Sequence, residues 1–337
     1  MKKFSNAITF MGALSVLFGM ILGCGESAKT PQWTKARKIA GKAQGLSHIS
    51  SMVVDDKFAY VIIGGTVADQ NEGNSGVRKV ALDTGAVTSL DNGENFPQSE
   101  NGGMGTDDKF LYWNAGGKIW RIAKEGGKAE AVATEKVGIG IDMVVDNEKI
   151  YWTNHGYYSP GKLPSPSPVY FVAKQGGKTG IFADEQNIPH NVIADEKFVY
   201  WVTPTSVVKK AKAGGEVQTL YQATDKEGID ELAQDAENLY FGFRGAGDSR
   251  WNLRKVSKQG GEPQTLVKNY SLSQVAIDDA NIYFFNEDGM FSEVLCKVSK
   301  QGGEVTTIDG GYSSGIIVLS KTEIFFVGGD NIYNFQK

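Results

Sequence analysis

The sequence predicts an all-β fold, a single seven-bladed β-propeller built from four-stranded blades. Two observations lead to this prediction: the chain repeats itself about every forty residues, and each copy holds the turns and short strands of one blade. Seven copies can be counted along the chain. Six or eight blades are the alternatives, and each of them would require one copy of the repeat to be misread.

An acidic turn followed by an aromatic strand is the first repeated element. One copy reads Asp-Glu-Lys-Phe-Val-Tyr-Trp at residues 195–201, and another reads Asp-Asp-Lys-Phe-Leu-Tyr-Trp at residues 107–113. Aspartate side chains accept hydrogen bonds from backbone amides in tight turns, so we expect these turns to be structural. The copies begin at Asp55, Asp107, Asp146, Asp195, Asp235, Asp278 and, in a degraded form, Ser320.

Paired glycines mark a second turn in most copies, as in Lys-Gln-Gly-Gly at residues 174–177 and 300–303. They supply the positive φ angles that tight hairpin turns require. The C-terminal unit has only three strands of its own, and an orphan strand precedes the first copy at residues 36–40. Pairing this strand with the C-terminal three would complete the seventh blade and leave no free sheet edge.

The N-terminus has the features of a bacterial signal peptide. Lys2 and Lys3 precede a short apolar run, and residues 21–24 read Ile-Leu-Gly-Cys. These four residues resemble the lipobox of bacterial lipoproteins. The resemblance implies cleavage after residue 23, lipidation of Cys24 with a palmitate-type chain, and a flexible tether over residues 24–32. An uncleaved anchor helix is the alternative.

The N-terminal features predict the domain boundaries of the chain and its location in the cell. Residues 1–23 are the signal peptide, and residues 33–337 are the propeller domain. We expect the protein in the bacterial cell envelope, held by its lipid, with the outer membrane favoured and either its periplasmic or its surface face possible. Because Gly25 is not aspartate, the resemblance to an inner-membrane retention signal is missing.

The charge of the chain indicates which partners to expect, and its cysteine content indicates whether disulfides stabilise it. The chain has 35 basic and 39 acidic residues and a formal net charge of −4. Nucleic-acid binding proteins carry a basic footprint, so we expect no nucleic-acid partner. With Cys24 lipidated, Cys296 has no second cysteine to pair with, and stability must come from core area. A closed ring has no need of a second copy, so we expect a monomer.

Part of the aromatic repeat resembles a known family. Tyr-Trp-Thr-Asn at residues 151–154 resembles the Tyr-Trp-Thr-Asp repeat of low-density-lipoprotein-receptor propellers, and residues 112–114 and 200–203 are partial copies. The mature chain resembles bacterial propeller lipoproteins related to that family. The resemblance implies the fold over nearly the whole mature chain and implies little about a ligand. Receptor propellers have six blades, whereas seven are counted here.

Polar residues cluster where the inner strands are expected to begin. Alignment of the inner strands on the acidic turn places these residues four or five positions before it, with an apolar row following. We expect them to line the mouth of the central channel, on the face opposite the acidic turns. This set, called the channel mouth below, consists of Asp142, His190, Asn191, Asp230, Glu231 and Gln274.

Three residues of the channel mouth are candidate metal ligands: Asp142, His190 and Glu231. Oxygen donors favour Ca²⁺ or Mg²⁺, and histidine favours Zn²⁺ or another transition metal. Ordered water or a small ligand held by the same side chains is the alternative interpretation.

Long loops are expected on the same face. Residues 64–76 and 154–168 join the second and third strands of blades 1 and 3, and the second of these loops holds His155, Tyr157 and Tyr158 as candidate contacts. Long loops on a rigid scaffold commonly carry binding sites. A tolerated surface insertion is the alternative.

These observations favour a lipid-anchored binding or scaffold module with a protein, glycan or small-molecule ligand on this face. The alternative is a metal-assisted lyase or hydrolase at the channel mouth, because seven-bladed streptogramin lyases resemble this architecture and use histidines with a metal. The sequence contains no nucleophile elbow, phosphate loop or paired Cys-x-x-Cys motif. Binding is therefore favoured over catalysis, and enzymatic activity is left open.

Overall fold

Within the described residues, twenty-eight strands form seven four-stranded antiparallel sheets, one for each predicted blade. The computed structural model describes residues 36–64, 75–91, 103–115, 118–133, 140–154, 167–224, 226–287, 293–312 and 315–337. The inner strands of successive blades contact one another in order, and the last contacts the first. The predicted seven-bladed propeller is therefore confirmed, and six or eight blades are excluded.

Each blade runs from its inner strand outward, and blade 7 takes its outer strand from the start of the domain. A single 3-10 turn, Lys42–Gln44, separates the first two strands. In chain order the strands are β1 (Arg37–Ala40), which belongs to blade 7; β2 (Ile49–Val54), β3 (Phe58–Ile63), β4 (Gly76–Ala81) and β5 (Val87–Ser89) in blade 1; β6 (Met104–Thr106), β7 (Phe110–Ala115), β8 (Lys118–Ala123) and β9 (Glu130–Ala131) in blade 2; β10 (Gly140–Val145), β11 (Lys149–Asn154), β12 (Ser167–Ala173) and β13 (Gly180–Gln186) in blade 3; β14 (His190–Ala194), β15 (Phe198–Thr203), β16 (Ser206–Ala211) and β17 (Gln218–Gln222) in blade 4; β18 (Gly228–Gln234), β19 (Asn238–Arg244), β20 (Trp251–Ser257) and β21 (Gln264–Tyr270) in blade 5; β22 (Ser273–Ile277), β23 (Asn281–Glu287), β24 (Glu293–Ser299) and β25 (Thr306–Tyr312) in blade 6; and β26 (Ile317–Leu319), β27 (Glu323–Gly328) and β28 (Asn331–Gln336) in blade 7.

The ring closes as the sequence predicts. β1 pairs antiparallel with β28, with Arg37 opposite Asn334 and Ala40 opposite Ile332. The orphan strand therefore becomes the outer strand of blade 7, and its pairing covers the edge that β28 would otherwise expose.

The core lies between the blades. Each apolar cluster draws residues from two adjacent blades, for example Tyr200 of blade 4 and Phe241 of blade 5. The second strand of each blade is buried on both faces, which explains its nearly continuous apolar and aromatic sequence. Trp113, Trp152 and Trp201 are completely buried there and supply large contact areas between neighbouring blades.

The acidic turns join neighbouring blades as well as shaping each hairpin. Asp195 Oδ1 accepts hydrogen bonds from the amides of Lys197 and Phe198, both at 2.9 Å. Its Oδ2 accepts one from the Tyr200 hydroxyl at 2.8 Å and one from Lys258 Nζ of blade 5 at 2.9 Å. We call the ion pair between a turn aspartate and the lysine of the next blade a latch.

Latches connect six of the seven blade junctions, with Nζ to Oδ2 distances between 2.7 and 3.3 Å. Each lysine is the first residue of the glycine-pair turn, except that blade 7 supplies Lys337. The pairs are Asp55–Lys124, Asp107–Lys174, Asp146–Lys212, Asp195–Lys258, Asp235–Lys300 and Asp278–Lys337.

The junction between blades 7 and 1, called the seam below, replaces both partners of the latch. Ser320 stands in place of the aspartate, and Leu82 stands in place of the lysine. The Leu82 amide donates to the Lys57 carbonyl at 3.0 Å, as the Lys124 amide donates to the Lys109 carbonyl in blade 2. Leu82 packs against the cluster that contains Phe325, the residue in the position of the turn tyrosine. An apolar contact therefore takes the place of the ion pair at this junction.

Among the described residues, no helix is long and apolar enough to cross a membrane. The predicted signal peptide, Cys24 and the tether over residues 24–32 lie outside the described residues.

Candidate functional site

The channel mouth is built on unusual backbone at the start of three consecutive inner strands. Asn191, Glu231 and Gln274 occupy the same position in blades 4, 5 and 6, and their φ angles are +51°, +52° and +53°. The strand register shifts at this point in each of these blades. Residues other than glycine rarely adopt such φ angles, and those that do cluster at functional sites.

Hydrogen bonds connect this strained backbone across blades 3, 4 and 5. The Asn191 amide donates to Asp142 Oδ2 of blade 3 at 2.8 Å. Asn191 Nδ2 donates to Asp230 Oδ1 of blade 5 at 2.9 Å, and the Glu231 amide donates to the same oxygen at 2.8 Å. Residues from three blades thus form one continuous polar network.

Glu231 extends the network to blade 6. The amides of Gln274 and Val275 donate to its carboxylate, the second of them to Oε2 at 3.3 Å. Burial of the carboxyl group, and then the negative charges of Asp230 and Asp142, raise the pKa of Glu231 to about 7. This side chain therefore exchanges its proton near neutral pH.

His190 and Asp230 lie against each other beside Glu231. His190 Nδ1 donates to the Ile188 carbonyl at 2.9 Å, and Nε2 lies 3.4 Å from Asp230 Oδ1. Burial opposes the charged imidazole, but the hydrogen bond and charge of Asp230 outweigh it and raise the pKa of His190. Burial also opposes ionisation of Asp230, and His190 outweighs it and lowers the pKa of that carboxyl. About half of the Asp230 side chain is exposed, so the pair is open to a ligand.

The side chains of five of the six predicted channel-mouth residues thus share one network, and Gln274 joins it through its backbone amide while its side chain is exposed. No group of three or more His, Cys, Asp or Glu side chains in the described part of the chain is arranged to hold a metal ion. The assignment of Asp142, His190 and Glu231 as metal ligands stays a prediction. His155, Tyr157 and Tyr158 lie outside the described residues.

Sequence reasoning missed a tryptophan beside the channel mouth. Trp251 of β20 packs against two glycines of blade 5, because a Cβ built on Gly228 or Gly242 would lie 3.5 Å from its ring. The Arg244 guanidinium lies 4.9 Å from the centre of the ring. The two glycines inside strands β18 and β19 are the signal that could have indicated this close contact.

Two cavities on the face of the acidic turns were also not predicted. One of about 680 Å³ lies between the turns of blades 3 and 4, and one of about 870 Å³ lies between those of blades 4 and 5. Both are lined by latch residues, among them Asp195. The latch carboxylates in these cavities already bind lysines and backbone amides, so they serve the junctions between blades.

The fold and the network together define the class of the molecule: a seven-bladed β-propeller with a polar channel mouth rich in carboxylates. No protein-family model and no curated protein sequence matches the chain. The chain is similar in structure to an oligogalacturonate lyase from Vibrio parahaemolyticus, with a TM-score of 0.64 and 11% identity over 86% of this chain and 89% of that one. It is also similar to YCF48 bound to D1 peptide, with a TM-score of 0.61 and 8% identity over 90% of this chain and 96% of that one.

A more distant similarity is to a chain of the nidogen/laminin complex, with a TM-score of 0.50 and 16% identity over 70% of this chain and 89% of that one. Another similar structure is an oligogalacturonate lyase in complex with manganese, with a TM-score of 0.62 and 12% identity over 85% of this chain and 96% of that one. At these identities the similarities establish the propeller fold and leave the ligand open.

Proposed function

We propose that this protein is a lipid-anchored binding module of the bacterial cell envelope, and that its channel mouth takes a polar ligand. The observation that supports the proposal is the network of Asp142, His190, Asn191, Asp230 and Glu231, which holds strained backbone at the open end of the channel. Strained backbone persists only where surrounding structure holds it, and it concentrates at ligand sites. The ligand is a peptide, a glycan or another small molecule with hydrogen-bonding groups.

Two features favour ligand binding over catalysis at the channel mouth. The exposed half of Asp230 and the exposed Gln274 side chain offer acceptors and donors to a ligand. A metal-assisted lyase has weaker support, since the predicted ligands do not form a three-ligand group within the described ranges. The comparison with YCF48 is consistent with a peptide ligand, because that propeller was solved with D1 peptide bound.

A photo-reactive benzoyl-phenylalanine in place of Gln274 tests the proposed site in the native envelope. We expect a discrete covalent adduct at this position, and we expect Asp230→Asn to remove it because the exposed carboxylate is lost. Gln259 is the matched control, since it is an exposed glutamine in a turn on the opposite face. Mass spectrometry of the adducts is the measurement. Equal adducts at both positions, or none at residue 274, would contradict the proposal.

The proposed lipid anchor is tested independently of the ligand. Cys24→Ser removes the only thiol at the proposed cleavage site, so we expect the variant to lose its palmitate label and to keep its N-terminal apolar run uncleaved. Mass spectrometry of the N-terminus and palmitate labelling are the measurements. Cys296→Ser serves as the control and should retain the label. A Cys24→Ser protein that keeps the label would disprove the anchor.

A further inference from the structure

We propose that the cavity of about 680 Å³ between the acidic turns of blades 3 and 4 is a second binding site, and that it takes a neutral sugar. The cavity lies on the face opposite the channel mouth, so the inference goes beyond the function proposed above and does not depend on it. Its support comes from blade 3, in which three side chains depart from the pattern of the other blades and leave hydrogen-bonding groups unused at this junction.

The turn tyrosine of blade 3 does not bind its turn aspartate. In five other blades the equivalent hydroxyl donates to the aspartate at 2.8 to 3.0 Å, as Tyr283 does to Asp278. Within the described residues, the Tyr151 hydroxyl makes no hydrogen bond to Asp146. Burial, and then the charges of Asp146 and Glu148, raise the pKa of Tyr151 to about 12, so its hydroxyl stays a donor at neutral pH.

This unused donor faces the cavity. Only 1% of Tyr151 is exposed, yet the residue lines the cavity, and its hydroxyl is not sealed inside the core. Buried polar groups in proteins almost always have a partner. A ligand in the cavity would supply the partner that Asp146 does not.

A cation and a phenylalanine have exchanged places in the same blade. In blade 4, Phe198 follows the acidic turn and Lys209 lies over its ring, 4.6 Å from the centre. Blades 1 and 2 have the same arrangement. In blade 3, Lys149 stands in the position of Phe198 and lies 4.9 Å from the ring centre of Phe171. The exchange places Lys149 in the lining of the cavity.

The exchange also leaves a backbone carbonyl without its side-chain donor. In blades 1, 2, 4 and 5 the lysine or arginine opposite the turn tyrosine donates to the carbonyl of the latch lysine in the next blade, for example Lys209 Nζ to the Lys258 carbonyl at 2.6 Å. In blade 3 this position, opposite Tyr151, is Phe171, which has no donor. The carbonyl of Lys212, a residue of the cavity lining, therefore remains an acceptor for a ligand.

The lining indicates the class of the ligand. The Tyr151 hydroxyl and the Lys149 ammonium can donate, the Lys212 carbonyl can accept, and a sugar hydroxyl does both. The two exposed glutamates of the lining, Glu148 and Glu196, outnumber Lys149, the one lining lysine outside a latch. The cavity thus has no excess of positive charge for an anion. Its volume lies within the range of small-molecule sites, about 300–1,000 Å³.

Calorimetric titration of the full-length protein with chitobiose, cellobiose and maltose tests the site. We expect one of these neutral disaccharides to bind, and we expect Tyr151→Phe to weaken its binding about fivefold because one hydrogen bond to the ligand is lost. Tyr283→Phe is the matched control and should keep the wild-type affinity, since its hydroxyl already donates to Asp278. Thermal unfolding without sugar should show a lower midpoint for Tyr283→Phe and an unchanged midpoint for Tyr151→Phe.

A double variant tests the exchange of the cation and the ring. Lys149→Phe combined with Phe171→Lys restores the arrangement of blades 1, 2 and 4. We expect this protein to fold and to lose the sugar, because a lysine at position 171 can donate to the Lys212 carbonyl and no ammonium remains at position 149.

Two results would overturn the proposal. One is that none of the three sugars binds. The other is equal affinity in the wild type, Tyr151→Phe and the double variant, which would place the sugar elsewhere on the propeller. Neither result affects the proposed function of the channel mouth, because the adduct at residue 274 tests that function separately.

Discussion

Replacement of Asp195 by Asn should lower the free energy of unfolding by about 2–4 kcal/mol, because it breaks a latch and leaves the Lys258 ammonium without its counter-charge. Lys258 is buried except for 8% of its side chain, so water cannot readily replace the carboxylate. The same substitution weakens the hydrogen bonds that the turn amides and Tyr200 donate. Urea unfolding should show a lower midpoint with an unchanged slope.

Glu196→Gln is the matched control for this prediction. It removes one negative charge from the next residue, which is exposed and lies in the same turn. A surface substitution of this kind should change the stability by less than about 0.5 kcal/mol. If both variants lost the same free energy of unfolding, the loss would come from the removal of a negative charge on this face of the propeller and not from the broken latch.

The pH dependence of the Asp195 effect follows from the same contacts. Burial opposes ionisation, but the hydrogen bonds from Lys258, Phe198, Tyr200 and Lys197 outweigh it and lower the pKa of Asp195 to about 2. A carboxyl whose pKa is lowered by folding stabilises the folded state above its unfolded value, near 3.9, and loses that contribution as pH falls towards 2. The difference in the free energy of unfolding between the wild type and Asp195→Asn should therefore be largest near pH 6 and should decrease below pH 4.

Most of the fold could be predicted because each blade repeats its turns and strands. The acidic turn and the glycine pair recur at fixed offsets, and the missing fourth strand of the last copy indicated how β1 closes the ring. The latches could not be predicted in the same way. Asp195 and Lys258 are 63 residues apart, and only the stacking of adjacent blades brings them together.

The channel mouth was predictable in position but not in chemistry. Alignment on the acidic turn was sufficient to place Asp142, Asn191 and Glu231 in one row, since every inner strand ends in that turn. The positive φ angles at Asn191 and Glu231, and the hydrogen bonds they make possible, depend on bulges that polar sequence patterns do not encode. The raised pKa of Glu231 follows from the burial of its carboxyl group and from the charges of Asp230 and Asp142, and it could not be predicted from the sequence either.

The seam shows that a repeat departs from its pattern where its environment differs. The seam joins blade 1 to blade 7 on the side where β1 also approaches blade 1, whereas the other junction of blade 7, with blade 6, keeps its latch through Lys337. At the seam Leu82, Ser320 and Phe325 replace the lysine, the aspartate and the tyrosine together, and Arg37 Nη2 of β1 donates to the Leu82 carbonyl at 3.1 Å. The lysine and the aspartate change together because replacing only one of them would leave a charge unpaired. Without the aspartate, a tyrosine at position 325 would have no turn carboxylate to which its hydroxyl could donate.

With no latch at the seam, that junction depends on its apolar cluster and on the fit of β1 against blade 1. Gly85 lies in the turn between β4 and β5, with a φ of +72°, and a Cβ built on it would lie 2.2 Å from the Ile39 carbonyl oxygen of β1. Both atoms belong to backbone, so no side-chain rotation can relieve the overlap. The same approach recurs less tightly between Gly126 and the Leu90 carbonyl, at 3.0 Å.

Gly85→Ala should therefore cost about 3–5 kcal/mol or abolish folding, because β1 must shift away from blade 1 to admit the methyl group. Gly45→Ala isolates the backbone cost, since Gly45 has a φ of +84° and nothing lies within 4 Å of its built Cβ. The free energy of unfolding of Gly45→Ala should fall by only about 1–2 kcal/mol. Urea unfolding gives the two values, and amide exchange in β1 should rise in Gly85→Ala alone. Equal losses in the two variants would mean that the contact between Gly85 and β1 does not hold the seam, and that the pairing of β1 with β28 is sufficient to close the ring.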